Sequence, residues 1–369
     1  MTPFSLLLLP GDGIGPEIVE VAQLVIENIA SISGRDIVID REIAGGASID
    51  QFGHPLRPVV LEKARQSDAV LIGAMGGPQW DFLPTDRRAA IALLTLRKEL
   101  GLFANIRPVR AFPALLDASS LRPEIVRNVD MVIVRELVGG IYFGEPRGIE
   151  ELVGGGKRGF NTETYSSDEV SRIGETAFEL AKLRSGRVHS VDKANVLEAS
   201  VVWRDAITNL HLAKFSDVDL DHMFVDNAAM QLVRDPKQFD VIVTGNIFGD
   251  ILSDCAAMLS GSIGILPSAS IGAKPSKGRR QGLYEPVHGT APDIAGQGLA
   301  NPIGTILSAA MMFEMSCDMP EEARLIEHAV EAALESGART KDIANSGEFI
   351  STREMGEEIV RQIHVIASI

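Results

Sequence analysis

Leu6–Leu9 is a short apolar run that ends in the glycine-rich GDGIGPE and gives way to Ile18, Val21, Ala22, Val25 and Ile29 at helical spacing. That strand–turn–helix alternation recurs and constrains the chain most. Ala69–Gly73, Met131–Arg135, Val188–Asp192 and Val241–Thr244 read as further buried strands. Helical segments are expected over 89–100, 194–209, 228–233, 302–315, 320–336 and 355–366. Such alternation predicts an α/β protein. Residues 150–164 break the pattern with a Gly154-Gly155-Gly156 run, read as a loop, a hairpin or an interlocking arm. No internal repeat is present, which disfavours a solenoid.

With 369 residues the chain has room for two or three domains, or for one large unit with two lobes. A formal charge of −15 argues against nucleic-acid and anionic-membrane partners. An anionic substrate would therefore need cations gathered locally. Two cysteines, Cys255 and Cys317, argue against a disulfide framework or a zinc cluster and fit a reducing cytoplasm. The apolar run at the N-terminus lacks the basic flank and the length of a signal segment. No stretch approaches the roughly 20 apolar residues of a bilayer span.

Chemistry-bearing residues stand at the ends of these elements. In VIVTGNIFGDILSD, Gly245-Asn246 breaks a strand, and Asp250 and Asp254 follow four residues apart on one face of the next helix. Carboxylates beyond a strand's carboxyl end suit a hard divalent cation such as Mg2+ or Mn2+. Acids placed by the helix dipole are the alternative. Arg97, Arg107 and Arg135 each border apolar sequence. Their planar forks suit carboxylates, although ion pairs with the chain's own acids would also satisfy them. Asp192-Lys193-Ala194-Asn195 follows a strand. A desolvated Lys193 could serve as a base, and a helix-capping segment is the plainer reading. Tyr142 sits among glycines, within reach of a substrate or as a packed aromatic.

The small-residue loop from His288 to Gly296 suits close backbone approach to a nucleotide, with Asp293 as an acceptor for a ribose 2′-hydroxyl. GDGIGP is a poor dinucleotide fingerprint, because its third position is Pro16 and no acid is placed about 20 residues on. A tight turn with Pro16 opening a helix accounts for it.

In this order, GDGIGPE, LRKELGLFANIRP, VRELVGGIYFGEPRG, VDKANVLEAS, FVDNAAM, VTGNIFGDILSD, LPSAS and EPVHGTAPDIAGQGLANP resemble the isocitrate/isopropylmalate dehydrogenase family of β-decarboxylating dehydrogenases over essentially the whole chain. The resemblance implies a two-lobed α/β fold distinct from the Rossmann fold. One lobe would hold residues 1–102 and 260–369, the other 103–259 with a dimer interface and an arm near 150–164, and the active site would lie between them. It implies NAD and Mg2+ or Mn2+ as cofactors, a cytoplasmic homodimer with shared active sites, and the leucine-biosynthesis reaction: oxidative decarboxylation of (2R,3S)-3-isopropylmalate to 4-methyl-2-oxopentanoate and CO2.

Roles follow by matching positions. Arg97, Arg107 and Arg135 resemble the substrate-carboxylate clamp. Lys193 resembles the general base, Tyr142 the general acid, and Asp226, Asp250 and Asp254 the metal set. Asn195 would position substrate or nicotinamide, and Lys193, Asn195 and Asp226 would come from the partner subunit. Ile14, Gly76, Gly77 and Pro78 resemble the cofactor-bordering strip. Glu285, His288, Gly289, Thr290, Ala291, Asp293, Ile294 and Asn301 resemble the adenosine segment, with Asp293-Ile294 favouring NAD over NADP.

Leu93 and Leu94, with Val196 from the partner, would form an apolar wall for an isopropyl group, where a charged substituent would be desolvated without a partner. Dehydrogenases for D-malate, tartrate or homoisocitrate are the nearest alternatives. A catalytically silent subunit is disfavoured because every site position is filled. Three departures stand out: Ala89-Ala90 where an acid is usual, Gln79 where a lysine is usual, and a longer, basic SKGRRQG at 276–282, read as a solvent loop.

Overall fold

A computed structural model describes residues 3–345 and 347–368. Its strands are β1 (Phe4–Gly11), β2 (Ile37–Arg41), β3 (Ala69–Ala74), β4 (Ala104–Arg110), β5 (Asp130–Glu136), β6 (Gly148–Glu151), β7 (Lys157–Phe160), β8 (Arg187–Asp192), β9 (Asp219–Phe224), β10 (Val241–Thr244), β11 (Pro267–Ile271) and β12 (Gly282–Pro286). The chain divides into two compact units, one of residues 1–102, 111–127 and 257–369, the other of 103–110 and 128–256. Residues 111–127, placed in the middle lobe from sequence, belong to the first unit.

In the first unit the strand order is β2-β1-β3-β12-β11, parallel except where β11 pairs antiparallel with β12. β3 is buried at every residue, as a parallel strand covered on both faces must be. The helix Ile303–Met315 is buried from Ile303 through Phe313, so it is apolar all round. In the second unit the order is β4-β5-β10-β8-β9, with only the β4–β5 pair antiparallel. The glycine-rich 150–164 segment carries the end of β6, the turn and all of β7 in a separate hairpin, β6–β7. Among the described residues, no helix is long and apolar enough to cross a membrane.

Two expectations shift. The helix expected from Ala194 begins at Glu198. Asp192 Oδ1 accepts from the Ala194 backbone N–H at 2.9 Å, and Ser200 Oγ accepts from the Lys193 N–H at 3.1 Å, which holds 193–197 as a turn. The 276–282 insertion is not merely a solvent loop. Arg279 Nη1 donates to Asp68 at 2.9 Å, and the Gln281 amide donates to the Ala64 and Ser67 carbonyls at 2.8 Å.

Candidate active site

The second unit gathers its charged residues by register. Asn105 on β4 lies directly opposite Arg135 on β5, and Arg107 is two residues from Asn105. With a side-chain period of two, all three point to one face. β10 lies beside β5, with Thr244 paired to Arg135, and runs directly into the helix Asn246–Ala257. Asn246, Asp250, Ser253 and Asp254 fall at i, i+4, i+7 and i+8 and face the arginines. Gly249 permits the approach: a Cβ there would stand 2.7 Å from both Cβ and Cγ of Arg135.

Both guanidiniums are nearly inaccessible, Arg107 at 6% and Arg135 at 3% exposure, so every donor needs a partner. Arg135 gives Nε (3.0 Å) and Nη2 (2.8 Å) to Asn246 Oδ1, and Nη1 to Asp250 Oδ1. Arg107 gives Nε to Asn105 Oδ1 and Nη1 to Ser253 Oγ, each at 2.6 Å, and approaches Asp254 at 3.4 Å and Asp250 at 3.6 Å. Tyr142 ends a 3-10 turn that begins at Gly140, and its hydroxyl donates to Asp250 Oδ2 at 2.9 Å. Burial, then the charge of Asp250, pushes the Tyr142 phenol above its ordinary range, which keeps its proton in place.

Burial also raises the Asp254 carboxyl. Arg107 opposes that rise, and the like charge of Asp250 adds to it. Two such oxygens-only ligands on one helix face fit a hard divalent cation. Asp226 is elsewhere: Lys193 Nζ donates to it at 2.7 Å and holds its carboxyl below the usual range. Among the described residues, no three His, Cys, Asp or Glu side chains are grouped to hold a metal. The expected three-aspartate set is thus divided within one chain into Asp250 with Asp254, and Asp226 with Lys193. Asn195 and Val196, in the turn after Lys193, are exposed.

The first unit holds the remaining residues. Arg97 is buried and gives Nη2 to Glu285 Oε1 at 2.6 Å, an ion pair within the chain that leaves its buried Nε without a partner. On the same helix, Ile91–Glu99, Leu93 packs against the core and Leu94 is half-buried. Ile14 is buried with Ile18 and Ala300, against Ala291 and Ile294, and its N–H donates to the Thr290 carbonyl at 2.9 Å. A Cβ on Gly13 would lie 2.0 Å from that same oxygen. The glycines of GDGIGP therefore serve close packing against the chain's own backbone.

Asp12, which sequence reasoning missed, accepts N–H donors from Gly46 and Ala47 at 2.8 Å and from Gly76 at 2.9 Å. It thereby ties the Gly76-Gly77-Pro78 strip to the first turn. Gly289 and Asp293 are exposed, and open space lies over Gly289 and Gly76, a surface that admits a nucleotide. His288 is held below its ordinary pKa by burial, and its Nδ1 bonds the Gly289 carbonyl at 2.8 Å. Asn301 is buried and used internally, donating to Asp342 and accepting from the Ile303 N–H, each at 3.0 Å. Ala89 is buried, and Ala90 is the exposed cap of the Arg97 helix. Gln79 reaches back over Gly77, where a Cβ would stand 2.7 Å from its Oε1.

The isocitrate/isopropylmalate dehydrogenase profile matches residues 5–359, and the chain belongs to that family. The 3-isopropylmalate dehydrogenase of Gluconobacter oxydans is 52% identical over 99% of both chains. That of Saccharophagus degradans is 55% identical over 97% of this chain and 99% of its own. The fold is similar to the crystal structure of isocitrate dehydrogenase from Methylococcus capsulatus, with a TM-score of 0.86 and 34% identity over 98% of this chain and 99% of that one.

Proposed function

We propose that the chain catalyses the NAD-dependent oxidative decarboxylation of (2R,3S)-3-isopropylmalate to 4-methyl-2-oxopentanoate and CO2, in leucine biosynthesis in the cytoplasm. The observation that carries the reading is the cluster of Arg107, Arg135, Asp250, Asp254 and Tyr142, with two buried cations beside two carboxylates and a protonated phenol. Relatives of that name at 52% and 55% identity support the choice of substrate.

In this reading Arg107, Arg135 and Arg97 take the substrate's carboxylates, their forks matching carboxylate geometry. Arg97 must then share or exchange its bond with Glu285. Lys193 of the partner subunit takes the proton of the 2-hydroxyl, and the hydride leaves C2. The Gly76-Gly77-Pro78 strip and the 288–294 loop, with Asn301 and Glu285, would hold NAD+, which would supply the hydride acceptor. Asp250, Asp254 and the partner subunit's Asp226 would hold a divalent cation, which would supply Lewis-acid charge for ionising the 2-hydroxyl.

Once C2 is a ketone, the carboxylate β to it departs as CO2 and leaves its bonding electrons on the substrate. Tyr142 then delivers the proton to C3. Leu93 and Leu94 with the partner's Val196 prefer an isopropyl group, since a carboxylate there would lack a partner. The exposed carboxylate of Asp293 accepts from ribose hydroxyls and repels a 2′-phosphate, which selects NAD.

A homodimer fits the apolar surface of the second unit: Ile149 and Val153 on the hairpin and Met230 and Val233 on the helix Val225–Arg234 are all more than half exposed. Kinetics with 3-isopropylmalate, D-malate, tartrate, homoisocitrate and isocitrate test the reading. The highest kcat/KM should fall to 3-isopropylmalate; a clear preference for another acid overturns the substrate assignment.

A further inference from the structure

The three arginines are satisfied in two different ways. Arg97 is paired with a carboxylate, Glu285 at 2.6 Å. Arg107 and Arg135 face Asp254 and Asp250 through their terminal nitrogens, but their Nε is held by the neutral amides of Asn105 and Asn246, which are 0% and 1% exposed. The direction of both bonds is set by chemistry, because a guanidinium has no acceptor and must face the amide oxygen. At Asn246 the other end agrees, with Nδ2 donating to the Leu137 carbonyl at 3.1 Å and the Gly139 carbonyl at 3.3 Å.

A buried arginine is ordinarily matched by an acid, and this chain has fifteen more acids than bases to draw on. Amides fix the same fork without adding a further negative charge to those of Asp250 and Asp254. Among the four charged groups of the cluster, the two arginines balance Asp250 and Asp254. A bound divalent cation, with the partner subunit's Asp226 on it, then leaves a net positive charge that draws a dicarboxylate. Had either anchor been an aspartate, that attraction would fall by one charge in a low-dielectric site, where Coulomb terms are strong.

We propose that Asn105 and Asn246 are positioning residues that orient the substrate-binding arginines without placing a further negative charge beside the substrate. The proposal rests on the assignment of Arg107 and Arg135 to substrate carboxylates. Asn105 is the sharper test site. It lies opposite Arg135 and bonds Arg107, so a carboxylate there stands beside both cations.

The experiment compares wild type with Asn105→Asp and Asn105→Ala, and with the same pair of changes at Asn246. It reads KM and kcat for 3-isopropylmalate with Mg2+, KM for NAD+, the thermal midpoint, and the calorimetric Kd of malonate as a dicarboxylate that does not react. Asn105→Asp, the isosteric change that keeps an oxygen on Arg107, should raise KM and the malonate Kd at least about tenfold above Asn105→Ala, a loss of anion attraction rather than of packing. KM for NAD+ should stay within about twofold, and kcat should fall by a smaller factor than KM rises.

Asn246→Asp should show the same order with a lower thermal midpoint, because it also loses two carbonyl partners. An Asn105→Asp protein that binds dicarboxylate as well as Asn105→Ala overturns the proposal. Failure of Asn105→Asp to fold does so too, since Arg107 should compensate the new charge. If wild type binds malonate in this order of variants yet does not turn over 3-isopropylmalate, the substrate reading fails and the anchoring stands. If it turns over 3-isopropylmalate without that order in KM, the anchoring alone fails.

Discussion

Replacing Gly249 with alanine sets two well-characterised effects against each other. Gly249 is inside the helix Asn246–Ala257, where alanine is favoured over glycine by about 1 kcal/mol on propensity alone. Yet the new methyl would sit 2.7 Å from both Cβ and Cγ of Arg135. Carbon atoms in comfortable contact are at least about 3.5 Å apart, so helix and strand must separate by about 0.8 Å. Overpacking of that kind costs about 1–3 kcal/mol, which outweighs the propensity gain and leaves a net loss of up to about 2 kcal/mol.

The larger consequence is catalytic. Arg135 and Asp250 are bonded across this contact, and Tyr142 is bonded to Asp250, so all three lose register together. Misplacement of about 1 Å costs on the order of 100-fold. Gly249→Ala should therefore lower kcat/KM by about 10- to 100-fold, while circular dichroism shows the same secondary structure and the thermal midpoint falls by only a few degrees. Wild-type kcat/KM with a raised midpoint would show that helix propensity wins and that the close approach carries no catalytic weight.

Tyr142→Phe removes the proposed acid and one hydrogen bond from a half-buried site. It should cut kcat by about 10²- to 10⁴-fold with a stability change under about 1.5 kcal/mol, read by steady-state kinetics and urea unfolding. Glu136 is fully buried, and burial raises its carboxyl to about 7, against the lowering effect of the Gly139 and Val138 N–H donors. The folded state then binds the extra proton between the unfolded value of 4.5 and about 7, so the stability contribution present below pH 4.5 is lost as pH rises to 7. Glu136→Gln should flatten the fall in thermal midpoint between pH 5 and 7, roughly the interval between the two pKa values; an unchanged slope would show that Glu136 is not its source.

How much of this was readable in the sequence depends on how local each signal is. β3 and β10 are apolar runs buried on both faces, and β5 adds Arg135 to such a run; all three stand out. Arg107 was noticed, but its strand was not, because Pro108 interrupts the run; in the sheet Pro108 sits opposite Val132 without breaking the pair. The C-terminal helix starts at Thr352, three residues before its apolar period shows, because Ser351 and Glu354 form a reciprocal cap.

The site residues divide in the same way. Asp250 and Asp254 announce themselves by a four-residue spacing, and Asn246 and Ser253 share that helical face and could have been found by extending it. Asp12 could not, since its partners Gly46 and Gly76 are 34 and 64 residues away and offer only backbone N–H groups. Nor could the pairing of Arg97 with Glu285, 188 residues apart and joined only by the fold.

The central claim is that Asp250, Asp254 and the partner subunit's Asp226 hold a divalent cation that, with the arginines, turns over a 3-alkylmalate. The direct measurement is NADH formation from 3-isopropylmalate by the full chain, with EDTA and after Mg2+ or Mn2+ is restored. The account predicts turnover that EDTA abolishes and added metal recovers, with Asp254→Asn impaired even at saturating metal. Undiminished turnover in EDTA, or none with metal present at any pH, would contradict it.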